Sequence, residues 1–212
     1  MNQVNETLAV PPVVSPEEWQ RSRDELTVLE KAATRSLDAL AAKRRRLPMV
    51  HFDNYVFTTA TGTTTLLDLF GDNVQLAVYQ FMDVGPDGFC PGCTAFTRNV
   101  ADVKTLAEAG VSWATVSEMP IEQIEVIKQR EGWTVPFVSS RGTTFAADSG
   151  VNGFMLSVFL REGDDIYRTY TTTSRGVDRL MFLNNILDLA PYGRQEDWED
   201  SPEGWPQSPT YG

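Results

Sequence analysis

Apolar or small residues recur at helical spacing through Trp19, Ser22, Leu26, Leu29, Ala33, Leu37 and Leu40. A stripe of that period predicts one long amphipathic helix. It starts at Ser15-Pro16-Glu17-Glu18, with Ser15 as N-cap, Pro16 at the first helical position and Glu18 closing a capping box. Pro48 ends it. Such a stripe must lie on something: its own core is the default, and a second subunit is the alternative. Ahead of it, Met1 to Val14 is polar, holds Pro11-Pro12 and reads as a loose arm.

Beyond Pro48 the period changes. "MVHFDNYVFTTATGTTTLLDLFG" alternates β-formers around Ala60-Thr61-Gly62 and predicts a hairpin, followed by a short turn at Leu66–Gly71. Val74–Met82, "VQLAVYQFM", is a compact apolar strand of the buried kind. A loop from Asp83 to Phe89 leads to Cys90. From Cys93 to Ala109 the pattern is helical, with Gly110 as C-cap. "VSWATVS" is the next strand, and "PIEQIEVIKQREG" is a helix from Pro120 to Gly132. The stretch "VPFVSSRGTTFAADSGVNG" reads as loop with one short extended piece. "FMLSVFLREGDDIYRTYTTT" is a pair of strands around Gly163-Asp164-Asp165. "SRGVDRLMFLNNILDLA" is a closing amphipathic helix carrying Leu180, Leu183, Ile186 and Leu187.

Alternating strands and helices imply crossover connections and a largely parallel central sheet, to which the late hairpin adds antiparallel strands. The expected class is α/β and thioredoxin-like, a central mixed sheet flanked by helices with a long N-terminal helix. The expected organisation is an arm at 1–14, a helical extension at 15–47, a thioredoxin-like domain at 48–192 and an irregular acidic tail at 193–212. In that tail Trp198 and Trp205 are the candidates for docking it.

Composition narrows the function. A chain of 212 residues has room for one domain with a substantial core. Its formal charge of −11 argues against nucleic acid and anionic membranes as partners, because both reward dense Lys and Arg. The one basic cluster, Lys43 to Arg46, sits where a helix C-terminus favours cations. No apolar run approaches the roughly 18 residues needed to span a membrane. The N-terminus lacks the features of a signal peptide. A cytoplasmic location is expected.

The two cysteines, Cys90 and Cys93, form a C-x-x-C pair in "GFCPGCTAF". In a long chain of this kind the spacing points to redox or metal chemistry rather than a structural staple. A closed zinc site wants four N or S ligands, and this chain has two Cys and His51. Neither metal nor cofactor is expected. Cys90 falls at the start of a helix, where unpaired N–H groups stabilise a thiolate. Asp83 and Asp87 would oppose that effect. The bland alternative is a pair of inert buried thiols. His51 is expected to be structural or exposed rather than a proton shuttle, Glu118 to belong to a helix cap, and the Ser174 region to cap the last helix. An anion at Arg175-Gly176 is the functional alternative there.

"FCPGCTAF" after "LAVYQFM", then "GVSWATVSEMPIEQIEVIKQREGWTVPFVSS", resembles the thioredoxin and peroxiredoxin superfamily in order and spacing. "VVSPEEW", "YVF", "LLDLF", C-P-x-C, "PFVSS", "LSVFLREGDDIYRTY" and "SRGVD" together are similar to a bacterial thioredoxin-like family, domain of unknown function 899, over about Val13 to Arg194. On the thioredoxin pattern the resemblance implies that Cys90 attacks and Cys93 resolves. Phe89 then stands in place of a Trp, and Pro91-Gly92 in place of Gly-Pro. Asn152, Gly153 and Phe154 occupy the region of the superfamily's cis-proline, and Pro136 comes too early to replace it. On the peroxiredoxin pattern, P-x-x-x-T-x-x-C, Pro86 is matched, Cys90 replaces the Thr, and Cys93 in "PGCT", before Thr94, is the peroxidatic cysteine. The superfamily's late-strand Arg is missing, so both groups that would polarise a peroxide are lost.

Three functions follow as expectations. The first is a thiol–disulfide oxidoreductase acting on a protein or small-molecule disulfide or thiol. The second is a thiol peroxidase using Cys93. The third is a non-catalytic interaction module, with a homodimer through the N-terminal helix as its partner.

Overall fold

The computed structural model describes residues 9–210 apart from 101 and 152, so residues 1–8 of the expected arm, and Asn152, lie outside it. The chain forms two compact units. One joins the chain up to Arg46 with the stretch from Phe182, and the other spans Leu47–Met181.

In the first unit, helix α1 runs Pro16–Arg44. The Ser15 side chain accepts from the Glu18 backbone N–H at 3.2 Å, which is the N-cap half of the expected box. No residue of α1 is buried. Past Phe182 the acidic tail folds on its own carboxylates. Glu199 accepts from the backbone N–H groups of Arg194 and Glu196 at 2.9 and 3.2 Å. Glu196 is buried and accepts from the backbone and the hydroxyl of Thr210. Trp205 meets Tyr192 edge-on, with ring centroids 5.4 Å apart.

The second unit is built on one eight-stranded sheet. Its strands are β1 (Val50–Phe52), β2 (Val56–Thr59), β3 (Gly62–Thr65), β4 (Gln75–Gln80), β5 (Val111–Ser117), β6 (Phe137–Ser139), β7 (Met155–Glu162) and β8 (Asp165–Thr172). They lie in the order β1-β8-β7-β4-β5-β6-β2-β3. Its helices are α2 (Pro91–Arg98), α3 (Val103–Glu108), α4 (Ile121–Glu131) and α5 (Phe145–Ser149). Only β4–β5 and β5–β6 pair in parallel. All other neighbours are antiparallel, so the sheet is mixed rather than largely parallel. A parallel pair needs a crossover, and helices supply one only from β4 to β5 and from β5 to β6. This parallel centre flanked by an antiparallel β7–β8 hairpin makes the unit thioredoxin-like.

Four expectations change. The predicted hairpin is β2–β3 alone. The upstream "VHF" is β1, which pairs with β8 at the opposite edge of the sheet. The helix expected from Cys93 to Ala109 breaks after Arg98. The Asp102 carboxylate accepts from the N–H groups of Lys104 and Thr105 and starts a new helix there. The stretch expected as loop with one short extended piece has that piece as β6 and adds a helix, α5, anchored by a fully buried Phe145. The expected closing helix is a 3-10 segment, Ser174–Leu180, and a separate short helix α6, Phe182–Leu187. Between them Met181 has extended backbone, and Ser174 itself has a left-handed φ of 50°.

β4 positions the site. Its alternate residues point to opposite faces. Leu76 and Val78 join Phe57, Phe145 and Phe159 in one core cluster. Ala77 and Tyr79, with Phe81 just beyond the strand, join Cys90, Cys93 and Phe96 in the other.

Candidate functional site

The site lies where β4 runs out and α2 begins. Phe81 extends the strand by one bond, donating its N–H to the Val116 carbonyl at 2.8 Å. The following loop is held from two sides. Asp83 accepts from the Gly85 N–H at 2.8 Å. The Gln123 side chain on α4 donates to the carbonyls of Gly85 and Gly88 at 2.8 and 3.2 Å. The Arg130 guanidinium sits 4.8 Å from the centre of the Phe89 ring. Pro86, Asp87, Gly88 and Phe89 face Glu122, Gln123, Val126 and Arg130 across an open recess of about 480 Å³.

Cys90 is the N-cap of α2, and Pro91 takes the first helical position, where its missing N–H costs nothing. The Cys90 Sγ accepts from the Cys93 backbone N–H at 3.3 Å, as a Ser or Asp cap would. Thr94 fastens the turn through its N–H and its hydroxyl, which reach the Cys90 carbonyl at 2.9 and 2.8 Å. The Thr97 hydroxyl donates likewise to the Cys93 carbonyl at 2.9 Å. Both cysteines are free thiols. Cys90 retains 5% exposure and Cys93 none.

The two sulfurs are electrostatically unlike. The Cys93 S–H hydrogen-bonds to Cys90, and with the backbone N–H groups of Cys93 and Gly92 it draws the Cys90 thiol down to about 6, against burial that pushes it up. The aspartates expected to oppose this, Asp83 and Asp87, are not among the groups that set it. Cys93 moves the other way. Its hydrogen bond to Cys90 and its burial push it well above the ordinary thiol range. The Tyr79 hydroxyl and the Met82 N–H, 3.5 Å from the Cys93 Sγ, partly offset that rise. One proton therefore stays on Cys93, and the charge rests on Cys90.

Of the residues singled out in the sequence, Cys90, Pro91, Gly92, Cys93 and Thr94 come together in this turn, and Pro86 and Phe89 line the recess beside it. Tyr79, Gln123 and Arg130 were not anticipated. Only Tyr79 left a signal, since strand alternation from Ala77 puts it on the α2 face. His51 is exposed on edge strand β1, with β8 and β7 between it and β4. Its ring meets Tyr167 edge-on at 5.9 Å. Glu118 does not cap α4, whose N-cap is Pro120 with no side-chain bond. Ser174 does not cap the 3-10 segment, whose N-cap position is Thr173. Arg175 pairs with Asp178 at 3.7 Å. Among the described residues no group of three or more His, Cys, Asp or Glu side chains is placed to hold a metal ion. Nor is any helix there long and apolar enough to cross a membrane.

Residues 8–211 match the family model described as bacterial protein of unknown function, DUF899. The chain belongs to that family. No curated protein matches it in sequence. Among solved structures, the DUF899 chain is similar to the peroxidoxin BcpB of Mycobacterium tuberculosis, with a TM-score of 0.47 and 18% identity, over 63% of this chain and 93% of that one. It is also similar to a putative protein disulfide isomerase from Bacteroides thetaiotaomicron, at 0.46 and 16%, over 67% and 92% of the two chains. A peroxiredoxin Q from Xanthomonas campestris follows at 0.44 and 18%, over 59% and 84%.

Proposed function

We propose that this DUF899 protein is a thiol–disulfide oxidoreductase of the cytoplasm, with Cys90 as nucleophile and Cys93 as resolving thiol. One observation carries the reading: the Cys90 sulfur caps a helix N-terminus, accepting from the Cys93 backbone N–H, with a second free thiol one turn on. The Cys90 thiolate attacks a substrate disulfide, forming a mixed disulfide and releasing the first substrate thiolate. Cys93 then gives up its proton and attacks the Cys90 sulfur. The Cys90–Cys93 bond forms, and the second substrate sulfur leaves and takes up the proton. Two electrons pass from the dithiol to the substrate, and neither metal nor cofactor enters. The recess between Pro86–Phe89 and α4 adjoins the attacking residue and has the size of a small ligand or a short peptide segment.

The peroxidase reading asks Cys93 to be the peroxidatic thiolate. A fully buried thiol that retains its proton is poorly suited to that role. Mild oxidation followed by thiol titration and mass mapping tests the proposal. Loss of both thiols into one intramolecular Cys90–Cys93 disulfide is expected. Two thiols that persist unchanged would sink it and leave a binding module. Sulfenic acid trapped first at Cys93 by dilute peroxide would transfer the nucleophile to that residue.

A further inference from the structure

We infer that Tyr79 is a further catalytic residue of this dithiol, its hydroxyl hydrogen-bonding the Cys93 sulfur and stabilising the thiolate that Cys93 becomes when it resolves the mixed disulfide. The inference rests on the dithiol function proposed above and concerns its second step.

The placement is direct. Tyr79 is on β4, 1% exposed, and points to the α2 face among Cys90, Cys93 and Phe96. Its ring stacks on Phe96, centroids 4.2 Å apart and planes 21° from parallel, which fixes the phenol under the first turn of α2. Its hydroxyl reaches the Cys93 thiol. A buried tyrosine hydroxyl needs a partner, and here the partner is the sulfur that must lose its proton during turnover.

The need arises from the first step. In the resting dithiol the Cys93 proton is held by the Cys90 thiolate. Once Cys90 is bonded to substrate sulfur, that acceptor is neutral and the S–H must ionise inside an apolar cluster, where burial opposes charge. The donors that remain on Cys93 are the Tyr79 O–H and the Met82 N–H, the latter at 3.5 Å. Both favour the thiolate. Tyr79 keeps its own proton throughout; the Cys93 proton passes to the departing substrate thiolate when that group is basic, and to solvent when it is an acidic aromatic thiolate.

The test uses the full-length reduced protein and an aromatic disulfide, 5,5′-dithiobis(2-nitrobenzoate), in single turnover. Attack by Cys90 releases one coloured thiolate, and resolution by Cys93 releases the second. Tyr79→Phe retains the ring on Phe96 and removes the hydroxyl. The first release should be unchanged, while the second slows about tenfold, the weight of one hydrogen bond to a charged sulfur. The pH profile of the second release should also move to higher pH. Replacing Tyr79 by 3-fluorotyrosine leaves the packing intact and strengthens the donor, so the same profile should move to lower pH. A second release unaltered in rate and pH profile by both substitutions overturns the role of Tyr79. A wild-type protein that releases no first thiolate overturns the dithiol function itself, and the inference with it.

Discussion

The two faces of β4 are built from the same buried strand and differ in how they treat polar atoms. On one face Leu76 and Val78 pack with Phe57, Phe145 and Phe159, and the Phe145 ring meets those of Phe57 and Phe52 edge to face. Gln80 follows them by alternation, and Ser157 lies opposite Val78 on β7. The Gln80 Oε1 and the Ser157 Oγ are buried there with no hydrogen-bond partner among the described residues. On the other face hydrogen bonds converge on the cysteine turn. The Cys90 sulfur accepts from Cys93, Thr94 and Thr97 tie back to the cysteine carbonyls, and Met82 donates to the Cys93 Sγ. The first face supplies cohesion and tolerates an imperfect polar atom. The second is organised around a charge, and a buried charge is stable only where donors converge on it.

Four substitutions break or sharpen this contrast. Cys90→Ser has the largest expected effect, abolishing disulfide exchange while leaving the thermal unfolding temperature near that of the wild type; a disulfide-reductase assay beside a melting curve checks it. Phe145→Ala should act in the opposite sense. It opens a cavity in the aromatic cluster and costs about 3–5 kcal/mol in urea unfolding, with the pH profile of Cys90 alkylation unmoved. Third comes the acidity of Cys90. Its alkylation rate should rise through a midpoint at about 6 and level off at neutral pH, because only the thiolate reacts. In Cys93→Ala the lost S–H donor should shift that midpoint upward, toward the roughly 8.5 of free cysteine. The smallest effect is expected for Ser157→Ala. Removing a hydroxyl that has no partner should leave stability unchanged or raise it by about 1 kcal/mol, read from the urea midpoint.

Much of the fold was legible because local signals agreed with it. Ser15-Pro16 starts α1, Pro120 and Gly132 bound α4, and the compact apolar stretch at Val74–Met82 contains β4, buried on both faces. The C-x-x-C turn was placed correctly at a strand-to-helix junction, with Pro91 at the first helical position. The misreadings share a cause. Where a segment is short, tertiary contacts outweigh its period: α5 spans only Phe145–Ser149 and is held by one buried ring. The break after Arg98 was hidden because Phe96, Val100, Val103 and Leu106 keep helical spacing across it, whereas Asp102 caps a second helix. The "VHF" of β1 lies next to the hairpin in the chain and shares its β-forming residues, yet its partner is β8, more than a hundred residues later.

The sequence by itself determined that this chain forms an α/β core with two cysteines at a helix start, since residue period, caps and C-x-x-C spacing are local properties. How far the two sulfurs differ in acidity was decided only by tertiary structure. The helix start by itself favours Cys90, whose thiol is drawn down by the Cys93 S–H and by the N–H groups of Cys93 and Gly92 in the same turn. Cys93 is raised by its bond to Cys90 and by burial in the cluster that β4 supplies. A thiol's acidity measures its surroundings, and those surroundings exist only once β4 and α2 have packed together.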